Sequence, residues 1–365
     1  MTYLKYQLGR KTTRGSEMGV KAVILGSGLI GQQFARLLAD HPTFDLQAVV
    51  ASERSRGQVL ADKWQLPNFS IPPSLTDLPV QTLEDVGLDA FDVVFSALPA
   101  TQARDIEKRM AASGKKVFSN ASAWRYDPKV PILIPEVNRN HLEVVRGQET
   151  YPRGGFVVTN SNCTVSGLAI FLHRLRELDY PPTKVFVSSY QALSGAGFEG
   201  LAKIPRDRVI PNIQQEEEKM TKEGQKILGS VRDGEIRPDT LQILANCARV
   251  PVIDGHLEAL TVELARSADA DDLYQTLGSE KSSLLALPTA PEFPIYVTQE
   301  EDRPQTFHDL YVGEKERAKG MVVVVGRIRT DGPYLRVFLL VHNTIRGGAG
   351  GSVLNAELAQ LEGYL

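Results

Sequence analysis

KAVILGSGLIGQQFARLLAD, residues 21–40, decides the fold. A short apolar run ends in Gly26-Ser27-Gly28-Leu29-Ile30-Gly31, and then Leu29, Ile30, Phe34, Leu37 and Leu38 recur at helical spacing. That order is strand, glycine turn, helix. It is the context in which G-x-G-x-x-G binds a dinucleotide, because the glycines permit a tight turn and bring backbone N–H groups to a pyrophosphate at the positive end of a helix. Without a ligand, the same pattern is a tight strand-to-helix turn.

Outward from this stretch, LQAVVA (46–51), FDVVFSALP (91–99), KKVFSNAS (115–122) and PILIPEVN (131–138) are short apolar runs separated by helical or loop segments. The alternation predicts an α/β, doubly wound parallel sheet of Rossmann type over residues 20–162. From residue 163 the text changes to a helix (CTVSGLAIFLHRLREL) and longer strands such as LEALTVELAR, GMVVVVGRIRT and YLRVFLLVHNT, which predict an α+β domain over 163–343 with a mainly antiparallel sheet. GGSVLNAELAQLEGYL, within 344–365, is helical by period and is expected to return to the first domain. Residues 1–19 are polar and basic without a strong period and read as an extension.

A chain of 365 residues exceeds one ordinary hydrophobic core, which agrees with two domains. With 41 basic against 44 acidic residues and no basic stripe interleaved with aromatics, nucleic acid is excluded as an expected partner. No apolar run is long enough for a membrane span, and two distant cysteines, Cys163 and Cys247, suit a reducing, cytoplasmic setting without a metal site.

After the second apolar run comes Ala51-Ser52-Glu53-Arg54-Ser55-Arg56. Ser52, Arg54 and Ser55 suit the 2′-phosphate of NADP, the preferred reading, while Glu53 could hold the ribose hydroxyls of NAD. Cys163, in SNCT at the start of a helix, is expected to feel the helix dipole and favour the thiolate; a buried, inert cysteine is the plainer alternative. His256 offers a proton-transfer partner. Arg249 and Arg125 have the fork that grips a carboxylate or phosphate, although each could be a surface ion pair. Gln215 to Lys219 ordinarily reads as a solvated helix face.

Taken together, GSGLIG, SNCT, QALSGAG, EEEKM followed by KILG, RVPVIDGH and HNTIRGGAGGSVLNAEL resemble aspartate-β-semialdehyde dehydrogenase, in particular its archaeal and fungal branch, from about Val20 to the C-terminus. The resemblance implies a Rossmann domain, a catalytic domain that also forms the dimer interface, and reversible, NADPH-dependent reductive dephosphorylation of β-aspartyl phosphate in lysine, threonine and methionine biosynthesis. It implies Cys163 as nucleophile, His256 as acid/base and Gln191 as the residue that orients the substrate. Arg249 would bind the α-carboxylate, Glu216 the amino group, and Lys219 and Arg125 the phosphate. Ser27 to Ile30, Ser52, Arg54, Ser96, Ser194, Gly195 and Asn343 would line the NADP site, and a homodimer or homotetramer is implied. Two features depart from the family: GSGLIG is one residue shorter than the G-A-T-G-x-V-G loop of many members, and the polar start has no counterpart. Malonyl-CoA reductase resembles the same branch and differs in the acyl group. A non-catalytic NADP-binding sensor is the alternative of another class, which has no use for Cys163, His256, Gln191 and Arg249 in combination.

Overall fold

The computed structural model describes residues 19–365; the extension expected at 1–19 lies outside them except for Gly19. Six parallel strands form the first sheet: β1 (Val20–Leu25), β2 (Phe44–Val50), β3 (Val80–Gln81), β4 (Val93–Ser96), β5 (Lys116–Ser119) and β6 (Phe156–Thr159), in the order β3-β2-β1-β4-β5-β6. Strands β4 and β6 are buried at every residue, as a parallel sheet covered on both faces requires. The order reverses between β1 and β4, and ligands of such sheets bind where the carboxyl ends diverge.

The run 131–138, which reads as a further strand, forms no ladder. Ile132 makes a single bridge to Thr159, and Pro135–Asn138 winds into a helical turn with proline at its first position, where the missing N–H costs nothing. Helices α1 (Leu29–Leu38) and α2 (Ala100–Ala112) cover the sheet.

Helix α3 (Val165–Glu177) leads into the second sheet. Strand β7 (Pro182–Gln191) pairs with β10 (Gln242–Arg249) on one side and β11 (His256–Leu264) on the other, followed by β14 (Tyr334–Val341), β13 (Val323–Asp331) and β12 (Ile295–Val297). The intervening β8 (Ser230–Arg232) and β9 (Glu235–Arg237) form a separate hairpin. The three central pairings are antiparallel and the two outer ones parallel. Alternate residues of β11 face a core shared with α3 and α4 (Glu216–Ile227). The opposite face leaves Phe186, Tyr190 and Leu244 exposed. Helix α5 (Gly350–Leu361) returns to the first sheet, where Val353, Leu354 and Leu358 pack in one core with Ala22, Phe34 and Phe95. Among the described residues no helix is long and apolar enough to cross a membrane.

Candidate active site

Two clefts open where β1 and β4 diverge. One, about 530 Å³, is walled by Gly26, Ser27, Gly28, Ser52, Glu53, Thr82, Gln102 and Arg109. The other, about 460 Å³, runs over Leu29, Ile30, Asn120, Arg125, Cys163, Ser194, Gly195, Asn343 and Gly347. Gly28 and the Ala97-Leu98-Pro99 segment belong to both, so the two clefts meet at the glycine turn.

The glycines divide the labour of dinucleotide binding. Gly26 holds φ at +104°, and Gly31 admits no Cβ because one would lie 1.9 Å from the Gly26 carbonyl oxygen. A Cβ on Gly28 would meet nothing within 4 Å, so this backbone faces open cleft at the start of α1. These are the turn, the close helix–strand approach and the open phosphate seat that a nicotinamide dinucleotide needs, and the residues present fit one. Ser52 lines the cleft. Ser55 and Ser96 do not: both are buried, Ser55 inside a 3-10 turn and Ser96 fully enclosed at the end of β4. Arg54 is exposed but is not part of the wall; Arg109, which sequence reasoning missed, brings a guanidinium there.

Cys163 and His256, 93 positions apart, meet with Sγ 3.2 Å from Nε2. The backbone N–H of Ala192 donates to His256 Nδ1 at 3.1 Å. A neutral ring so held carries its proton on Nε2, facing the sulfur. Burial and then Arg249 push His256 down to about 3, so the ring is neutral near pH 7. Burial and then Glu216 push the Cys163 thiol up to about 12, against Arg249 and Arg125. Burial thus opposes the thiolate that the helix terminus is expected to favour, although Cys163 itself is only half-buried in the cleft wall. The sulfur sits just ahead of α3, and a helix terminus, worth roughly 0.3–1 kcal/mol at an exposed site, is smaller than the cost of burying a charge.

The remaining groups assemble around this pair. Arg249 donates to the Ala192 carbonyl at 2.8 Å, and a Cβ on Gly195 would stand 2.5 Å from its guanidinium. Glu216 Oε1 accepts from Asn162 Nδ2 at 3.0 Å and Gln191 Nε2 at 3.2 Å, while Lys219 Nζ stands 3.8 Å from Oε2. Glu216 is buried, so the solvated-face reading of this run fails there. Asn343 binds Ser194 Oγ at 2.8 Å and accepts from the Gly255 N–H at 2.8 Å. Arg125 pairs with buried Glu223 at 2.9 Å, and the other Glu223 oxygen accepts the Asn162 N–H at 2.7 Å. Lys226 donates to the carbonyls of Arg125, Asp127 and Val130, bracing the Arg125 loop. Glu223 and Lys226 were missed by sequence reasoning, although Glu216 and Glu223 lie two turns apart on a stripe with Met220 and Ile227, a spacing that marks them as inward-facing.

Behind the sulfur, Gly347 leaves no room for a side chain: a Cβ would approach the Cys163 Cα to 2.6 Å. Its neighbour Arg346 makes a buried bidentate pair with Glu136, at 2.8 and 2.7 Å. Replacing Glu136 by Gln strands a buried guanidinium and should cost about 3–5 kcal/mol. Urea unfolding is the measure; an unchanged midpoint would show the pair to be dispensable.

Residues 21–145 match a family described as "Semialdehyde dehydrogenase, NAD binding domain" and 172–346 one described as "Semialdehyde dehydrogenase, dimerisation domain". The chain is 42% identical over 342 residues to an aspartate-semialdehyde dehydrogenase of Archaeoglobus fulgidus, covering 92% of this chain and 96% of that one. It is 35% identical over 356 residues to a malonyl CoA reductase (NADP) of Metallosphaera sedula, covering 95% and 98%. The crystal structure of an aspartate semialdehyde dehydrogenase with NADP from Candida albicans superposes with a TM-score of 0.84 at 35% identity, covering 95% of this chain and all of that one.

Proposed function

Because the chain belongs to the aspartate-semialdehyde dehydrogenase family, NAD(P)-dependent oxidoreductases, we propose that it reduces β-aspartyl phosphate to aspartate β-semialdehyde with NADPH, reversibly, through a thioester on Cys163. We place it with the archaeal and fungal members, in the biosynthesis of lysine, threonine and methionine. The observation that carries the reading is the Cys163–His256 contact of 3.2 Å, with Cys163 and Arg125 on the wall of the second cleft and Arg249 and Glu216 near enough to act on the thiol's charge.

In this reading Arg249 binds the substrate α-carboxylate, and Glu216, held by Asn162 and Gln191, binds its ammonium group. Arg125 and Lys219 hold the phosphate. The sulfur bonds to the acyl carbon as the C–O bond to phosphate breaks, and the thiol proton leaves on the phosphate. Held along Gly28 and Asn343, a reduced nicotinamide would supply a hydride to the acyl carbon of the thioester. As the C–S bond of the reduced adduct breaks to give the aldehyde, its electron pair leaves on sulfur; His256 donates a hydrogen bond from Nε2 to that thiolate, and solvent supplies the one proton that restores the thiol. NADP is preferred over NAD, with Ser52 and Arg109 of the cleft wall beside the 2′-phosphate. A second copy covers the exposed sheet face of Phe186, Tyr190 and Leu244.

The test is NADPH formation from aspartate semialdehyde, phosphate and NADP, with malonyl-CoA plus NADPH run in parallel. Malonyl-CoA reduction is the second reading, favoured by the 35% identity to a reductase of that substrate. Glu216 separates them, since malonate has no ammonium group for it to meet. Turnover of malonyl-CoA alone would overturn the amino acid substrate while keeping the thioester, and silence with both would leave a binding protein. Arg249→Met should raise the KM for the semialdehyde about ten- to a hundredfold, the worth of charged hydrogen bonds to one carboxylate. An unchanged KM would remove Arg249 from the substrate.

A further inference from the structure

Glu107 lies on α2, with none of its surface exposed, beneath the two strand ends that deliver the cleft walls. Ser119, the last residue of β5, donates to Glu107 Oε1 at 2.6 Å while its own oxygen accepts the N–H of Ala121 at 3.0 Å. Ser96, the last residue of β4, and Trp124 also present donors to this carboxyl. Neither completes a well-formed hydrogen bond, and Glu107 Oε2, Ser96 Oγ and Trp124 Nε1 are all buried without partners.

Each of these donors is next to a wall of the coenzyme and phosphate region. Ala97, Leu98 and Pro99 follow Ser96 and line both clefts. Asn120 follows Ser119, lines the Cys163 cleft, and accepts from Arg125 through its carbonyl at 2.8 Å. Trp124 directly precedes Arg125. The same helix turns Gln102, Ile106 and Arg109 into the other cleft.

We propose that Glu107 is a positioning residue for coenzyme binding: its buried carboxyl gathers the ends of β4, β5 and the 122–124 turn, and thereby sets the Ala97–Pro99 wall and Arg125. The inference rests on the coenzyme and phosphate assignments made above.

The carboxyl's charge state decides how many of the three donors it holds. Ionised, both oxygens can accept, so Ser96 and Trp124 can join Ser119; protonated, one oxygen carries a donor and acceptor capacity is reduced. Burial holds Glu107 up to about 7, against the pull of Ser119, Ser96, Trp124 and Arg125. Of the elements packed on α2, β4 and β6 bring no ionisable side chain, β5 brings Lys116 at its far end, and the turn brings Arg125, itself paired with Glu223. Arg104, Asp105, Lys108 and Arg109 on α2 itself are exposed. As pH rises through 7 the carboxylate forms and the walls tighten, so coenzyme binding strengthens.

Glu107→Gln keeps the shape and cannot ionise. NADPH binding to the full chain, followed by fluorescence at pH 6 and pH 8, should show the variant equal to wild type at pH 6 and about fivefold weaker at pH 8, the loss of roughly one hydrogen bond. The ratio of variant to wild type cancels the titration of the coenzyme's own phosphates. Trp124→Phe, which removes one donor and keeps the ring, should weaken binding at pH 8 alone and carries the test if Glu107→Gln does not fold. A ratio that is the same at both pH values overturns the proposal, since a merely structural role has no such dependence. If wild type does not bind NADPH at all, it is the coenzyme reading that falls.

Discussion

Cys163→Ala is expected to lower turnover by about 10⁴-fold or more, the scale on which a lost nucleophile is felt, and to leave NADPH binding as it was. No second sulfur can substitute, because Cys247 is buried with its Sγ against Met220 at 3.5 Å. The coenzyme cleft is built from β1, β2 and β4 and does not depend on the thiol. The raised thiol adds a sharper expectation. With burial and Glu216 holding it up to about 12, the thiolate fraction should rise tenfold per pH unit across the neutral range. Inactivation of the ligand-free protein by iodoacetamide should therefore climb log-linearly from pH 6 to 9 without a plateau. Residual turnover in Cys163→Ala close to wild type would end the thioester reading; a plateau below pH 8 would show a thiolate already stabilised in the resting site.

The first domain was legible because its signals are local. A parallel strand buried on both faces writes itself as VVFS or FVVT, and the glycine turn needs its three glycines within six residues of one another. PILIPEVN misled for the converse reason: a short apolar run has no period, and only the two prolines, Pro131 and Pro135, argued against a ladder. The site is legible as residue types and as a family pattern, since Cys163, His256, Gln191, Arg249 and Glu216 all fall within or beside its motifs. What surrounds them is not. Nothing in the spacing of Ala192 and His256 says that an amide will hold Nδ1, and no motif points to Glu107, whose partners come from three separate segments. For Cys163 the helix terminus is readable locally, whereas the burial and the Glu216 charge that oppose the thiolate come only from the tertiary fold. Ser55 and Ser96 failed on direction, since a hydroxyl next to a cleft in sequence can still turn into the interior.

His256→Ala should lower kcat by about 10²–10³-fold with little change in KM, the loss that follows removal of one preorganised donor aimed at developing charge. The ring's place supports that split: Nε2 faces Cys163 Sγ, while the carboxylate and ammonium sites proposed for the substrate belong to Arg249 and Glu216. The pH profile tests how the ring works. Burial and Arg249 hold His256 down to about 3, so between pH 5 and 8 it is neutral throughout and raising the pH takes no proton from it. The wild-type kcat/KM should then show no acidic limb near 6.5 that belongs to this histidine, and whatever pH dependence remains should persist in His256→Ala. A limb near 6.5 that disappears in the variant would mean that the ring cycles through its charged form, which requires Nδ1 to give up the hydrogen bond from Ala192. The structure opposes that exchange twice over, because a protonated Nδ1 would face the Ala192 N–H, and the cation formed would be buried beside Arg249.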